Sequence, residues 1–420
     1  KKVIKKRDLG QDMPYIINLT PSIVSNSDAG TGFGYTAFRL RGSDATRINV
    51  TINGIPINDS ESQGVWWVNM PDFASSTQSL QLQRGVGTST NGSGAFGASL
   101  NVLTDAFSEE AYAKISSSVG SFSTLRSNVK FSTGLMNDHF EFSGRLSRVN
   151  SDGYVDRASS ELDGYFLQGT YKDDNTLVKA LLFGGHEITY QAWNGITVDQ
   201  LEDNRTYNSA GEYTDDNGNT QYYENEVDNY KQDHFQLHWY ETWNSAWNTH
   251  LAVHYTRGRG FFEQYREEDD FATYGLEPFT VNGELVETTD LIRRRWLDND
   301  FYGTVFSATY NSENLELIMG GGYNEYKGDH FGEIIWAEYA RNSEIRDRYY
   351  DDNSTKTDVN FYTKANYQLT DQWSLFGDVQ YRGVGYQANG EDTGLVDDTF
   401  NFFNPKAGVT FDLNRNNNFY

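Results

Sequence analysis

Four of the seven histidines, His234, His238, His250 and His254, form two i, i+4 pairs. On a helix such pairs face one metal ion, but along a strand the same residues stand ~13 Å apart. They fall on the polar face of one expected hairpin, with His238 set opposite His254. Hydrogen bonding within a wall is therefore their expected role, and no metal is assigned to them. The glycine-rich run "GVGTSTNGSGAFG", Gly85 to Gly97, brings backbone N–H groups close together, as a phosphate loop does. A phosphate loop also needs a lysine, a Ser/Thr and a following helix. Here there is no lysine, and Ala98–Leu103 reads as a strand. Cysteine is absent, which removes disulfides and thiolate metal sites. No Ser–His–Asp set or paired carboxylates stand out, so no enzyme activity and no cofactor are expected.

What remains is recognition. Gln63, Trp66 and Trp67 lie in "NDSESQGVWWVNMP", where two adjacent indoles offer flat apolar area with N–H donors. Packing of that loop onto its surroundings is the alternative. Tyr190 and Trp193, in "TYQAWNG", stand where a strand enters a long loop, and the same two readings apply.

The elements that must hold these residues are strands. From Ala111 to Leu413 the sequence runs in period-two segments of about ten residues, roughly twelve in all. Leu125, Ser127, Val129 and Phe131, for example, alternate with Arg126, Asn128 and Lys130. The connections are of two kinds. Tight turns fall at Met136–Asp138, Asp173–Asn175, Asn244–Ala246, Asn311–Glu313 and Thr370–Gln372. Long acidic loops are expected at about 148–164, 190–229, 257–299, 327–357 and 383–403, with one short connection near Gly120.

The two kinds alternate strictly, so in an up-and-down meander every large loop lies at one end. That is the pattern of an outer-membrane barrel. A mean hydropathy of −0.68 excludes membrane helices but not a barrel, whose strands average to polar. Tyr171, Trp239, Trp243, Trp247, Tyr310, Tyr367 and Trp373 fall near the tight turns, as an aromatic belt requires. Aromatics filling a soluble sandwich are the alternative. The net charge of −25 is carried beyond residue 105, where 25 Lys/Arg face 51 Asp/Glu. Such a surface excludes nucleic acid as a partner.

The first 105 residues differ: "NVTINGIPIN", a strand at Ser79–Gln83, a short helix expected near Pro71 and many glycine turns indicate a small α+β unit. A globule of a hundred residues is roughly 34 Å across. Twelve tilted strands close into a ring of about 24 Å and twenty-two into one of about 44 Å. The globule therefore fits only the larger ring. The final "DLNRNNNFY" reads as a turn and the start of another strand, so the chain is expected to cover only part of such a barrel.

Two motifs, "FRLRGSDATRINVTINGIPIND" (Phe38 to Asp59) and "LQLQRGVGTSTNGSGAFGASLNVLT" (Leu80 to Thr104), resemble the plug of TonB-dependent outer-membrane transporters. The resemblance implies a mainly β protein: a transmembrane antiparallel β-barrel, about 22 strands in full and about 12 here, with an N-terminal α+β plug domain inside it. It divides the chain into a plug, residues 1–108, and the first part of the barrel, 109–420. It implies active import, across the outer membrane of a Gram-negative bacterium, of a scarce nutrient such as an iron–siderophore or similar metal chelate. The partners would be the TonB–ExbB–ExbD energy-coupling complex, outer-membrane lipid and the small-molecule ligand. A glycan or peptide importer with a surface lipoprotein, and a passive porin or adhesin barrel, are the alternatives. Asn91 and Ser93, at the tip of Gly87–Gly97, would join Gln63, Trp66, Trp67, Tyr190 and Trp193 in facing the ligand. The family's usual "YG" is replaced there by Asn91-Gly92. Arg41 and Arg84 would be enclosed and paired with barrel carboxylates, locking the plug in place; ordinary surface arginines are the alternative.

Overall fold

The computed structural model describes residues 2–92, 94–340, 342–390, 394–414 and 417–419. The N-terminal part begins with helices α1 (Lys2–Arg7) and α2 (Met13–Ile16) and a hairpin of β1 (Ile23–Ser27) and β2 (Thr36–Leu40). A four-stranded sheet follows in the order β4-β3-β6-β5: β3 Ile48–Ile52, β4 Ile55–Pro56, β5 Thr77–Arg84 and β6 Ala98–Thr104. β3 runs parallel to β6 and is buried along its whole length, so every side chain of "INVTI" meets other protein. The helix expected near Pro71 is instead two 3-10 turns, Trp67–Asn69 and Phe73–Ser76. Proline between them and Asp72 at φ 56° prevent a continuous helix.

One thirteen-stranded antiparallel sheet forms the rest. Its first strands are β7 (Ala111–Val119), β8 (Leu125–Thr133), β9 (Phe140–Ser151), β10 (Ser160–Lys172) and β11 (Thr176–Tyr190). A long loop holding α3 (Val198–Asp203) and the hairpin β12 (Glu212–Thr214) and β13 (Thr220–Tyr222) leads to β14 (Val227–Thr242) and β15 (Trp247–Asp270). A second excursion, with β16 (Phe279–Val281) and β17 (Glu284–Val286), precedes β18 (Thr288–Asn311) and β19 (Leu315–Ala337). β20 (Arg348–Gln368), β21 (Trp373–Gly390), β22 (Gly394–Asn414) and the short β23 (Asn417–Phe419) complete it. Neighbours in the sheet are neighbours in sequence apart from the two loop hairpins, which makes it an up-and-down meander.

The sheet is polar within and apolar without. Arg126, Arg145, Gln168, His238 and Asp378 are buried, whereas Leu146, Phe235, Leu251, Phe361 and Val409 are exposed. That inversion suits a wall with lipid outside. Near the tight turns Trp239 meets Trp243 edge to face, and Trp247 packs on Tyr310. A second aromatic level lies nearer the loop end. There the hydroxyls of Tyr165, Tyr255 and Tyr302 donate to Asp233, Asp300 and Glu325.

The tight turns fall between the strands as expected, but four of the five long loops are much shorter, 148–164 among them, since β9 runs to Ser151 and β10 starts at Ser160. Most of 257–299, 327–357 and 383–403 belongs to β15 and β18–β22, which run on beyond the apolar band. Outside lipid neither face must be apolar, so the period-two signal fades while the backbone ladder continues.

The N-terminal domain is seated on the inner face. Its core residues Phe38, Leu100, Trp67 and Phe73 form one cluster with the wall residues Phe166, Leu181 and Phe183. Gly164 and Gly185, cross-strand partners on β10 and β11, leave the hollow that Pro71 fills. A Cβ on Gly185 would lie 2.4 Å from Pro71 Cδ.

Candidate functional site

Charge holds the plug to the wall, with the signs reversed from expectation. The plug supplies Asp8, Asp72 and Asp105, and the wall supplies Arg126, Lys130, Arg145 and Lys179. Arg126 Nη2 lies 2.7 Å from Asp72 Oδ1 and 3.8 Å from Asp8 Oδ2. Asn128 donates to the other Asp72 oxygen at 2.5 Å. Ser75 Oγ donates to both Asp8 and Asp72. The Arg145 guanidinium, wholly buried, has Asp72 at 3.8 Å. Lys130 pairs with Asp105, and Lys179 Nζ donates to the Asp105 carbonyl at 3.2 Å.

Two plug loops reach the wall. In the loop 57–66, Glu61 accepts from Tyr326 Oη (2.9 Å), His330 Nε2 (2.8 Å) and Ser354 Oγ (2.5 Å), and Lys356 Nζ donates to Ser60 O at 2.6 Å. Burial opposes ionisation of Glu61, but these donors outweigh it and hold its carboxyl below the usual range. In the glycine loop, Ser89 N and Oγ both donate to the buried Asp378 of β21, and Lys406 Nζ donates to Gly87 O at 3.0 Å. The glycines have packing reasons: Gly87 has φ 58°, and a Cβ on Gly92 would lie 2.1 Å from Asn49 Nδ2.

Above these loops runs an arc of aromatic rings and guanidinium groups. Trp66 meets Tyr35 edge to face at 5.7 Å, Tyr35 meets Trp193 at 6.3 Å, and Trp193 meets Phe262 at 5.8 Å. Arg295 lies over Phe262 and beside Tyr350, whose hydroxyl accepts from Arg295 Nε at 3.0 Å. Arg293 donates to Gln264 and to the Tyr274 hydroxyl, both neutral. Pairing of Phe262 with Arg295, and of Gln264 with Arg293, puts all four on the inner face. Trp66 and Trp193 are 46% and 42% exposed, leaving ring area open to a ligand.

Of the residues singled out from the sequence, Trp66 and Trp193 are therefore brought together across Tyr35. The others are not. Trp67 is buried in the plug core and Tyr190 is buried with its hydroxyl donating to the carbonyls of Ala210 and Tyr223, so both serve packing. Gln63, at φ 62°, turns its amide back onto Ser60 O. Asn91 closes its own loop, its carbonyl accepting from Asn49, and Ser93 lies outside the described residues. Arg41 and Arg84 are exposed, and neither meets a carboxylate among the described residues; Arg84 reaches only Pro21 O at 3.3 Å. The expected locks give way to the Asp72 network, in which the carboxylates belong to the plug and the guanidinium groups to the wall.

The histidines do line the wall. His238 stands opposite Ala252 rather than His254, and its Nδ1 lies 3.0 Å from His250 Nε2. Sequence reasoning missed Tyr35, Glu61, Phe262, Arg293, Arg295 and Tyr350. The signal for three of them was present: "LIRRRW" in β18 is a basic run in an acidic region, and "RYY" opens β20.

Residues 1–99 match the TonB-dependent receptor plug domain family. No curated protein matches the sequence. Among solved structures, the chain is similar to the alcaligin outer-membrane receptor FauA from Bordetella pertussis, with TM-score 0.64 and 15% identity over 98% of this chain and 59% of that one. It is similar to the ferric-catecholate import receptor Fiu from E. coli K12, with TM-score 0.68 and 13% identity over 100% and 67%. The copper transporter OprC gives TM-score 0.70 and 13% identity over 97% and 59%. At these identities the likeness is one of fold: a plug within an outer-membrane receptor barrel. The chain spans about 59% of the length of the first two structures it matches.

Proposed function

We propose that this chain is the plug and first part of the barrel of a TonB-dependent importer in the outer membrane, a transporter and not an enzyme. The observation that carries the reading is the seating of a family-matched plug against a polar inner wall, with plug loops as the floor of an aromatic vestibule. Energy from the TonB–ExbB–ExbD complex would pull on the segment before the plug core.

The cargo we favour is an anionic metal chelate, an iron–siderophore first. The arc from Trp66 to Arg295 supports this, since aromatic faces take a planar chelate ring and guanidinium groups take its carboxylate or phenolate oxygens. Alcaligin, ferric-catecholate and copper transport, named for the similar structures, fall in the same broad class. Growth of a deletion strain on defined ferric chelates, cobalamin or glycans as limiting nutrient tests it. Loss of growth on ferric chelates alone is the expected result; loss on glycans alone would replace the iron reading with the glycan one.

A further inference from the structure

One outward patch of the wall lies away from both plug and vestibule. Lys231 of β14 and Arg259 of β15 are direct cross-strand partners, and they continue the exposed face of Phe235 and Val253. Each keeps 59% of its side chain open. Like charges set opposite each other on a sheet destabilise it, so the pair calls for an anion between them. A third cation, Arg257, stands two residues from Arg259 on the same face.

The carboxylates nearby hold these cations without separating the pair. Lys231 Nζ lies 3.1 Å from Asp233 Oδ2 on its own strand. Arg259 Nε lies 3.3 Å from Asp298 Oδ2, and Arg257 Nη1 lies 2.9 Å from Asp300 Oδ2; Arg257 also meets Asp298. Asp298 and Asp300 belong to β18, on the far side of β15 from Lys231.

Height identifies the surroundings. Lys231 and Arg259 stand eleven and twelve residues from the turn ends of their strands, Thr242 and Trp247. A barrel strand crosses the hydrocarbon in about 9–11 residues, so both cations emerge where headgroups begin. Just below them, the Tyr255 hydroxyl donates to Asp300 at 2.6 Å, at the interfacial aromatic level. Just above, Phe261 and Trp296 are partners on the same face, 4.8 Å between centroids, and Arg259 lies over the Trp296 ring at 5.4 Å.

We propose that this patch binds a phosphorylated glycolipid of the outer leaflet, with a phosphate between Lys231 and Arg259 and a sugar ring against Phe261 and Trp296. Guanidinium and ammonium groups make charge-assisted hydrogen bonds to phosphate oxygens. Aromatic faces add apolar contact to the C–H face of a sugar, which a glycerophospholipid of equal charge does not offer. The proposal needs the outer-membrane location and no particular cargo.

The full-length receptor in detergent is titrated with bisphosphorylated lipid A and, separately, with phosphatidylglycerol, and bound lipid is counted by native mass spectrometry. The parent protein should prefer lipid A about tenfold, and Lys231→Gln with Arg259→Gln should weaken lipid A binding about tenfold, the scale of one charge-assisted contact. Equal affinity of the parent for the two lipids, or lipid A binding unmoved in the double variant, would overturn the proposal. Should the double variant lose the heat-modifiable migration of a folded barrel, the parent protein with dephosphorylated lipid A decides. Binding severalfold weaker than to the phosphorylated form is expected, and equal binding overturns the site. A mistaken cargo would show in the growth assay and leave these affinities untouched.

Discussion

Asp72 of the plug and Arg126 of the wall meet at 2.7 Å with their side chains 0% and 7% exposed. A pair so buried gives little net stability of its own, but each partner depends on the other. Asp72 also faces the buried Arg145 at 3.8 Å and accepts from Asn128.

Asp72→Ala should therefore leave two guanidinium groups buried without their nearest carboxylate and destabilise the seated plug by about 3–5 kcal/mol. Denaturant unfolding followed by tryptophan fluorescence checks this. Asp72→Leu combined with Arg126→Leu should recover part of the loss, since the pair is then replaced by apolar side chains.

Gly185→Ala places a methyl group in the hollow filled by Pro71, only 2.4 Å from its ring. The plug must shift, and overpacking of this kind costs about 1–3 kcal/mol. The barrel ladder should stay intact, so heat-modifiable migration persists while the plug becomes sensitive to protease.

At the glycine loop, Asp378→Ala removes the acceptor of two Ser89 hydrogen bonds at a buried position. The freed Ser89 amide costs about 1–3 kcal/mol. Limited proteolysis of the folded receptor should cut within 87–97 several times faster, whereas Thr90→Ala, on the exposed side of the same turn, should not change the rate.

Trp66→Ala and Trp193→Ala should each weaken binding of a ferric chelate about fivefold to tenfold, the scale of one aromatic contact of ~1 kcal/mol, without altering unfolding. Trp67→Ala should do the reverse: binding is affected only through a loss of ~3–5 kcal/mol in plug stability. Fluorescence quenching by the chelate and denaturant unfolding on the same samples separate the two.

Asp12 is wholly buried, and burial pushes its carboxyl well above the usual aspartate range; the hydrogen bond from Thr36 Oγ1 at 2.9 Å only partly offsets this. The native plug then holds a proton that the unfolded chain, with an aspartate near ~3.9, gives up. Stability from this group is complete below that value and falls as pH rises toward the native one. Asp12→Asn should flatten the decline of the unfolding midpoint above pH ~4; equal slopes for the two proteins would exclude Asp12 as its source.

The sequence alone determined the architecture because architecture here follows from short-range rules. Period-two alternation, the strict sorting of tight turns from long connections and two plug motifs gave strands, meander and plug. It also drew attention to Trp66 and Trp193, since an indole in a polar loop is conspicuous, and the fold sets both against Tyr35. Tertiary structure decided which of the flagged side chains meet. Trp67 and Tyr190 are as conspicuous as their neighbours, but their burial depends on where loops land. The plug lock moved from Arg41 and Arg84 to Asp72 because pairing across 54 residues, as between Asp72 and Arg126, has no local signature. The length of the strands beyond the membrane escaped for a simpler reason. Backbone hydrogen bonds maintain a ladder without any pattern in the side chains, and only the spatial arrangement shows where that ladder ends.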